Sequence, residues 1–208
     1  MNVEADWLAD RLLDQRIVSL SGQLTPETAN RATASLALLD ASGDDPIQLR
    51  LLDLRPDPNA ELDTVLTLLD TIDLVTVPLH ATCLGGLTGT LAVLLAVADR
   101  RVAGANAHIV LREPRIDLAR RSATDLDTYA RQARRQLRTL QHRLAEACGR
   151  PVRAVTDDLR TGRVLTAEQA RDYGLVDTVT SPHAPNSPSR HEQHEHHAKN
   201  VPEEGRGQ

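Results

Sequence analysis

The sequence predicts an α/β fold built on a parallel sheet, and three observations carry that reading. Short apolar, β-rich runs at 16–22, 47–54, 74–80 and 102–111 alternate with helix-period segments at 26–39, 60–72 and 86–99. The intervening segments are long enough to act as crossover helices between parallel strands. The joints between them carry proline, glycine and aspartate, which punctuate such connections.

Taken in order, Asp6–Asp14 predicts a short amphipathic helix with Trp7, Leu8 and Leu12 on one face. Arg16–Gly22 predicts a strand ending at glycine. Thr25-Pro26-Glu27 is a helix start: a hydroxyl N-cap, proline in the first turn and an acid near the N-terminal N–H groups. That helix breaks at Ser42-Gly43-Asp44-Asp45-Pro46. Ile47–Leu54 reads as the second strand, and Arg55-Pro56-Asp57-Pro58-Asn59 as the turn before a helix over 60–72. Leu74–His80 is expected to be the third strand. Cys83-Leu84-Gly85-Gly86-Leu87-Thr88-Gly89 is expected to be a sharp strand-to-helix turn, followed by a helix to Asp99. In many α/β hydrolases such a turn carries the nucleophile. Residues 102–111 predict one or two further strands, turned at Gly104 and Asn106.

A different pattern occupies 122–149. Leu126, Ala130, Ala133, Leu137, Leu140 and Leu144 form a heptad seam along one long helix, with arginines on the other faces. So narrow a seam favours an oligomer contact over packing on the same chain. Gly149 stops the helix. Short helices near 151–160 and 167–173 and a small strand at 175–179 complete one domain over 1–180. Residues 181–208, rich in His, Glu and Pro, are expected to form a disordered tail.

Composition narrows the function. A chain of 208 residues suits one domain. Its aromatics are Trp7, Tyr129 and Tyr173 alone, so stacking platforms for bases are scarce. With a net charge of −5, nucleic acid is not an expected partner. No apolar run approaches the ~20 residues of a membrane span. Two cysteines, Cys83 and Cys148, do not make a disulfide framework, which suits a cytoplasmic protein. No metal or cofactor is expected. The run His191-Glu-Gln-His194-Glu-His196-His197 offers weak transition-metal ligands that a solvated tail more simply explains.

Several segments together resemble the proteolytic subunit of the Clp protease, ClpP, within the ClpP/crotonase fold. They are Arg11–Ile17 with Leu20 and Gly22, Ala29-Asn30, Asp45–Leu49, Leu69–Ile72, Arg101–Asn106 with Pro114, and Thr166–Asp177. The resemblance covers about residues 8–180. It implies a spiral of βα units with a protruding handle helix at about 122–149, which joins two seven-membered rings in that family.

By the same resemblance, the family's catalytic serine position is occupied by Leu87, its histidine by Arg112 and its aspartate by Gly162. The oxyanion-hole positions fall near Asn59 and Ala60. Hydrolysis in this fold needs a hydroxyl, a base and an orienting carboxylate. Leucine has no lone pair, and arginine stays protonated near neutral pH. The expectation is a subunit without peptidase activity of its own, assembled with an active paralogue or into a homomeric ring. It would meet a Clp ATPase of the ClpX or ClpC type only indirectly, because the family's N-terminal pore loop looks absent. Arg163 is expected to aid the ring contact.

Two other readings use the same fold. Cys83 is a weak alternative nucleophile, with His80 or His108 as base. A crotonase-like acyl-CoA enzyme would use the Gly85-Gly86 turn as an oxyanion hole and Glu113 or Asp117 as proton carrier. A stand-alone self-assembling scaffold is the third possibility.

Overall fold

The computed structural model describes residues 3–114 and 123–181. Asp117, the side chain of Leu126 and the tail from 182 lie outside the described residues.

Helix α1 (Val3–Asp14) leads into strand β1 (Ile17–Leu24). Thr25 caps α2 (Pro26–Ala41) through a reciprocal box with Thr28, so this boundary follows from local chemistry. Strand β2 (Ile47–Pro56) and helix α3 (Glu61–Leu74) follow. Strand β3 (Leu79–Thr88) gives way to a 3₁₀ turn at Gly89–Leu91 and a short helix α4 (Ala92–Ala96). Then come β4 (Arg100–Ala103), β5 (His108–Val110), the long helix α5 (Ala123–Ala147), α6 (Val152–Thr161), β6 (Val164–Thr166), α7 (Ala167–Tyr173) and β7 (Thr178–Val179).

The strands run β1-β2-β3-β4-β7, all parallel. One line of backbone irregularities crosses this sheet. Gly22 in β1, Asp53 in β2 and Gly85 in β3 have φ of 71°, 44° and 74°, and the registers β1/β2 and β2/β3 shift at these residues. These are β-bulges that bend three neighbouring strands together. Beyond the bend β3 changes partner. His80–Cys83 pair with β4, whereas Gly86–Thr88 pair with β5, which in turn holds β6 antiparallel.

Two sequence expectations are corrected here. The third strand is not Leu74–His80 but Leu79–Thr88. Residues 75–77 form a loop, with the N–H groups of Thr76 and Val77 bonded to the Asp40 carboxylate at 2.8 and 3.2 Å. Gly85-Gly86 is a bulge inside the strand and not its end, because a glycine interrupting an apolar run serves either purpose. The helix expected over 86–99 shrinks accordingly to the 3₁₀ turn and α4.

Part of the α5 seam is taken up within its own subunit. Ala133, Leu140 and Leu144 are buried within their own chain, and Leu137 packs partly buried against the same core. This stretch lies across α3, α4 and α6. A spacing of 3.5 residues fits a helix seated on helices of its own subunit as well as one facing a partner. Ala130 is half-buried near the N-terminal end.

Arg101 fastens the C-terminal ends of three helices. Its guanidinium donates to the carbonyls of Ala96, Ala147 and Gly174, at 3.4, 3.1 and 2.8 Å, and to the Asp177 carboxylate. Carbonyls at helix ends lack partners within the helix, so one cation satisfies several of them.

Candidate functional site

The bend delivers the C-terminal ends of β2, β3 and β5 to one place. Leu87 pairs with Leu54 on one side and with Ile109 on the other, and it is fully buried. Ile109 faces Leu165 across the antiparallel β5/β6 pair, and the Leu111 N–H continues that register to the Arg163 carbonyl at 2.8 Å. Beyond it the ladder ends, and the next bond takes the Glu113 N–H to the Leu159 carbonyl at 3.0 Å. Gly162, with φ of 75°, is the left-handed residue ending α6.

Leu87 itself is misplaced as a turn residue. The strand-to-helix turn falls two positions later, at Thr88–Gly89, where Gly89 has φ of 77°. The bulge at Gly85 lengthens β3 and moves the turn, which counting along the sequence cannot detect. Against this glycine lies a residue that sequence reasoning missed. Glu61, the first residue of α3, is 6% exposed, and a Cβ built on Gly89 would lie 2.7 Å from its Oε1. Oε1 accepts from the Thr90 N–H at 3.1 Å and the Thr90 hydroxyl at 2.8 Å. Burial pushes the Glu61 pKa up, while the Thr90 donors and the charge of Arg112 oppose the shift. A glutamate after a proline-rich turn reads in sequence as an ordinary first-turn acid, so nothing local marks it.

Asn59 and Ala60 sit in a closed turn. The Asp57 carboxylate accepts from the Asn59 N–H at 3.0 Å and from its side-chain amide at 3.3 Å. The Asp57 carbonyl accepts from the Ala60 N–H at 3.1 Å. A cavity of about 20 Å³ separates Asn59, Ala60 and Glu61 from Pro114 and Tyr129. That volume is enough for a water molecule.

The remaining candidates lie apart. Cys83 is fully buried in β3 between Leu51 and Ala103, and burial pushes its thiol up to about 12. His80, three residues away on the same strand, points to the opposite face. His108 pairs with Gly86 and lies with Asp53 over that glycine, each 2.9 Å from where its Cβ would be. Glu113 is tied by its N–H to the Leu159 carbonyl at 3.0 Å. Arg163 bonds Asp158 at 3.1 Å, which also accepts from the Tyr173 hydroxyl at 2.8 Å. Among the described residues no group of three or more His, Cys, Asp or Glu could hold a metal ion, and no helix is long and apolar enough to cross a membrane.

The family model for Clp protease matches residues 2–183. The chain belongs to the Clp protease family. It is 33% identical over 181 residues to the ATP-dependent Clp protease proteolytic subunit 3 of Rhodococcus jostii (strain RHA1), covering 86% of this chain and 88% of that one. Subunit 2 of Corynebacterium jeikeium (strain K411) is 28% identical over 172 residues, with coverage of 82% and 81%. Subunit 2 of Mycobacterium tuberculosis (strain ATCC 25618 / H37Rv) is 27% identical over 173 residues, with coverage of 82% and 79%. The mixed α/β architecture with a mostly parallel sheet agrees with membership of the Clp family.

Proposed function

We propose that this chain is a ClpP-type subunit that does not hydrolyse peptide bonds itself and acts by assembling with an active Clp subunit into a mixed ring. The observation that carries this reading is the closure of the site by the chain's own oxygens. The N–H groups of Asn59, Ala60 and Thr90 end on Asp57 Oδ1, the Asp57 carbonyl and Glu61 Oε1 respectively. An oxyanion hole works through donors left free for charge that develops in the transition state.

The chemistry of the surrounding residues supports the same conclusion. At the turn stands Gly89, whose side-chain space Glu61 fills, and a carboxylate there repels an oxyanion. Arg112 and Gly162 offer neither base nor orienter. Thr90 and Glu61 do form a hydroxyl–carboxylate pair, but both are buried, with Thr90 only 3% exposed, and a nucleophile must reach its substrate. The two free cysteines suit a cytoplasmic setting.

The experiment has two halves. Incubation with a fluorophosphonate probe and a fluorogenic peptide should give neither labelling nor turnover, and either signal from the chain alone overturns the non-catalytic reading. Native mass spectrometry after co-expression with the other Clp-type subunits of its own genome should show a mixed oligomer. An oligomer of this chain alone overturns the assembly reading.

A further inference from the structure

Two side chains roof a glycine beside the bend in β3. Gly86 pairs with His108 of β5, and on its other side Asp53 of β2 lies at the register shift between Leu52/Leu84 and Leu54/Leu87. The three residues therefore stand side by side across β2, β3 and β5. Asp53 Oδ1 and His108 Nε2 each lie 2.9 Å from the point where a Gly86 Cβ would be. Gly86 is buried beneath them, while Asp53 and His108 are themselves exposed. A carboxylate and an imidazole thus converge on the space that the glycine leaves. They are far apart in sequence, and only the bent sheet brings them together.

Asp53 holds its place against the preference of its backbone. The line of bulges runs Gly22, Asp53, Gly85, and all three have positive φ. Glycine adopts that conformation freely, whereas aspartate is strained in it. Strain of this kind clusters where a side chain's placement serves a site, and a third glycine would serve the bend alone. Neither group is committed elsewhere. Asp53 meets Arg55 at 3.7 Å with the two side chains 67% and 66% exposed, a weak pair in water. The His108 ring has no hydrogen-bond or ion-pair partner among the described residues.

We propose that Asp53 and His108 hold a divalent transition-metal ion of the zinc type over Gly86. Carboxylate oxygen and imidazole nitrogen are both zinc ligands, at about 2.0–2.2 Å. Water supplies the remaining positions, so the ion is exchangeable, unlike one enclosed by four protein ligands. Bound there, it ties β2 to β5 across the bend in β3 and stabilises the folded chain by mass action. The site precedes the Gly89 turn and does not depend on whether this subunit hydrolyses peptides.

The test titrates zinc calorimetrically into the full chain carrying His183→Gln, His191→Gln, His194→Gln, His196→Gln and His197→Gln, which removes the competing C-terminal imidazoles. That chain should bind a single equivalent and melt at a higher temperature with zinc than without. His108→Gln and Asp53→Asn, each added to it, should weaken binding at least tenfold, because even groups that only orient a ligand are worth roughly tenfold to a hundredfold in metal affinity. Asparagine tolerates positive φ as aspartate does, and both sites are exposed. Circular dichroism and the metal-free melting temperature should therefore stay close to those of the parent. Asp53→Gly should also lose the ion, with a metal-free melting temperature no lower than that of the parent. Loss in His108→Gln with normal binding in both Asp53 variants identifies a lone surface imidazole and overturns the pair. Binding that every variant leaves intact, or no binding in the parent, overturns the site.

Discussion

The Glu61 carboxylate accepts both donors of Thr90, the backbone N–H at 3.1 Å and the hydroxyl at 2.8 Å, and so joins the first turn of α3 to the turn after β3. Gly89 is the residue this contact confines. Its φ of 77° disfavours any side chain, and a Cβ would meet Glu61 at 2.7 Å. Replacing Gly89 by Ser should therefore destabilise the chain by about 2–4 kcal/mol, from backbone strain and overpacking together. Chemical denaturation checks the stability. A fluorophosphonate probe checks that the new hydroxyl does not become a nucleophile.

The same contact predicts a pH dependence. Burial raises the Glu61 pKa above its ordinary 4.5, so the folded chain binds the proton more tightly than the unfolded one. A group with a raised folded pKa contributes stability that is full below the unfolded value and fades as pH rises through the folded one. Glu61→Gln keeps an acceptor for Thr90 and removes the titration. Relative to the native chain, the variant should gain stability as pH rises above the ordinary glutamate value of 4.5. Urea unfolding at several pH values measures this. A difference that stays constant with pH contradicts it.

Arg101 is the principal fastener of the C-terminal layer. Arg101→Ala should cost about 2–4 kcal/mol, because it leaves Asp177 and three helix-end carbonyls without their donor. The Arg101 side-chain bond, followed by the backbone N–H of Arg101, holds the Asp177 carboxyl below its ordinary 3.8. A depressed carboxyl contributes stability above its unfolded pKa and loses it as pH falls through the folded one. Acid unfolding of Asp177→Asn should therefore show a smaller loss than the native chain below about pH 4, seen as a flatter midpoint-against-pH curve.

Much of the fold was legible because its signals are local. Thr25 with Pro26 marks the start of α2, Gly104 and Asn106 lie in the turn between β4 and β5, and Gly149 follows the end of α5. The course of β3 was not legible. Its bend depends on Asp53 and Gly22 in neighbouring strands, and a glycine pair read alone gives no hint of them. The burial of the α5 seam depended likewise on where α3, α4 and α6 would lie. Glu61 was invisible for the same reason, since its partner Thr90 is 29 residues away and meets it only after β3 has bent.

Cys83 tests the alternative nucleophile directly. It is fully buried in β3, and burial alone raises its thiol to about 12, whereas Cys148 is partly buried and raised to about 11. The thiolate is the reactive form, so both should resist a disulfide reagent at about pH 8 and react only on unfolding. Timed thiol titration with and without denaturant separates the two cases. Rapid reaction of Cys83 in the folded chain would restore it as a nucleophile candidate.

Leu87 separates the two placements of the turn. If the turn were at Leu87, Leu87→Ser would present its hydroxyl at the mouth of the site and cost little. The structure instead places Leu87 between Leu54 and Ile109 in the core, fully buried. The substitution then leaves a cavity and a hydroxyl that needs a partner, at a cost of about 3–5 kcal/mol. A melting temperature lowered by several degrees, with no labelling by a serine-directed probe, is the expected outcome. A stable variant that labels would move the site back into β3.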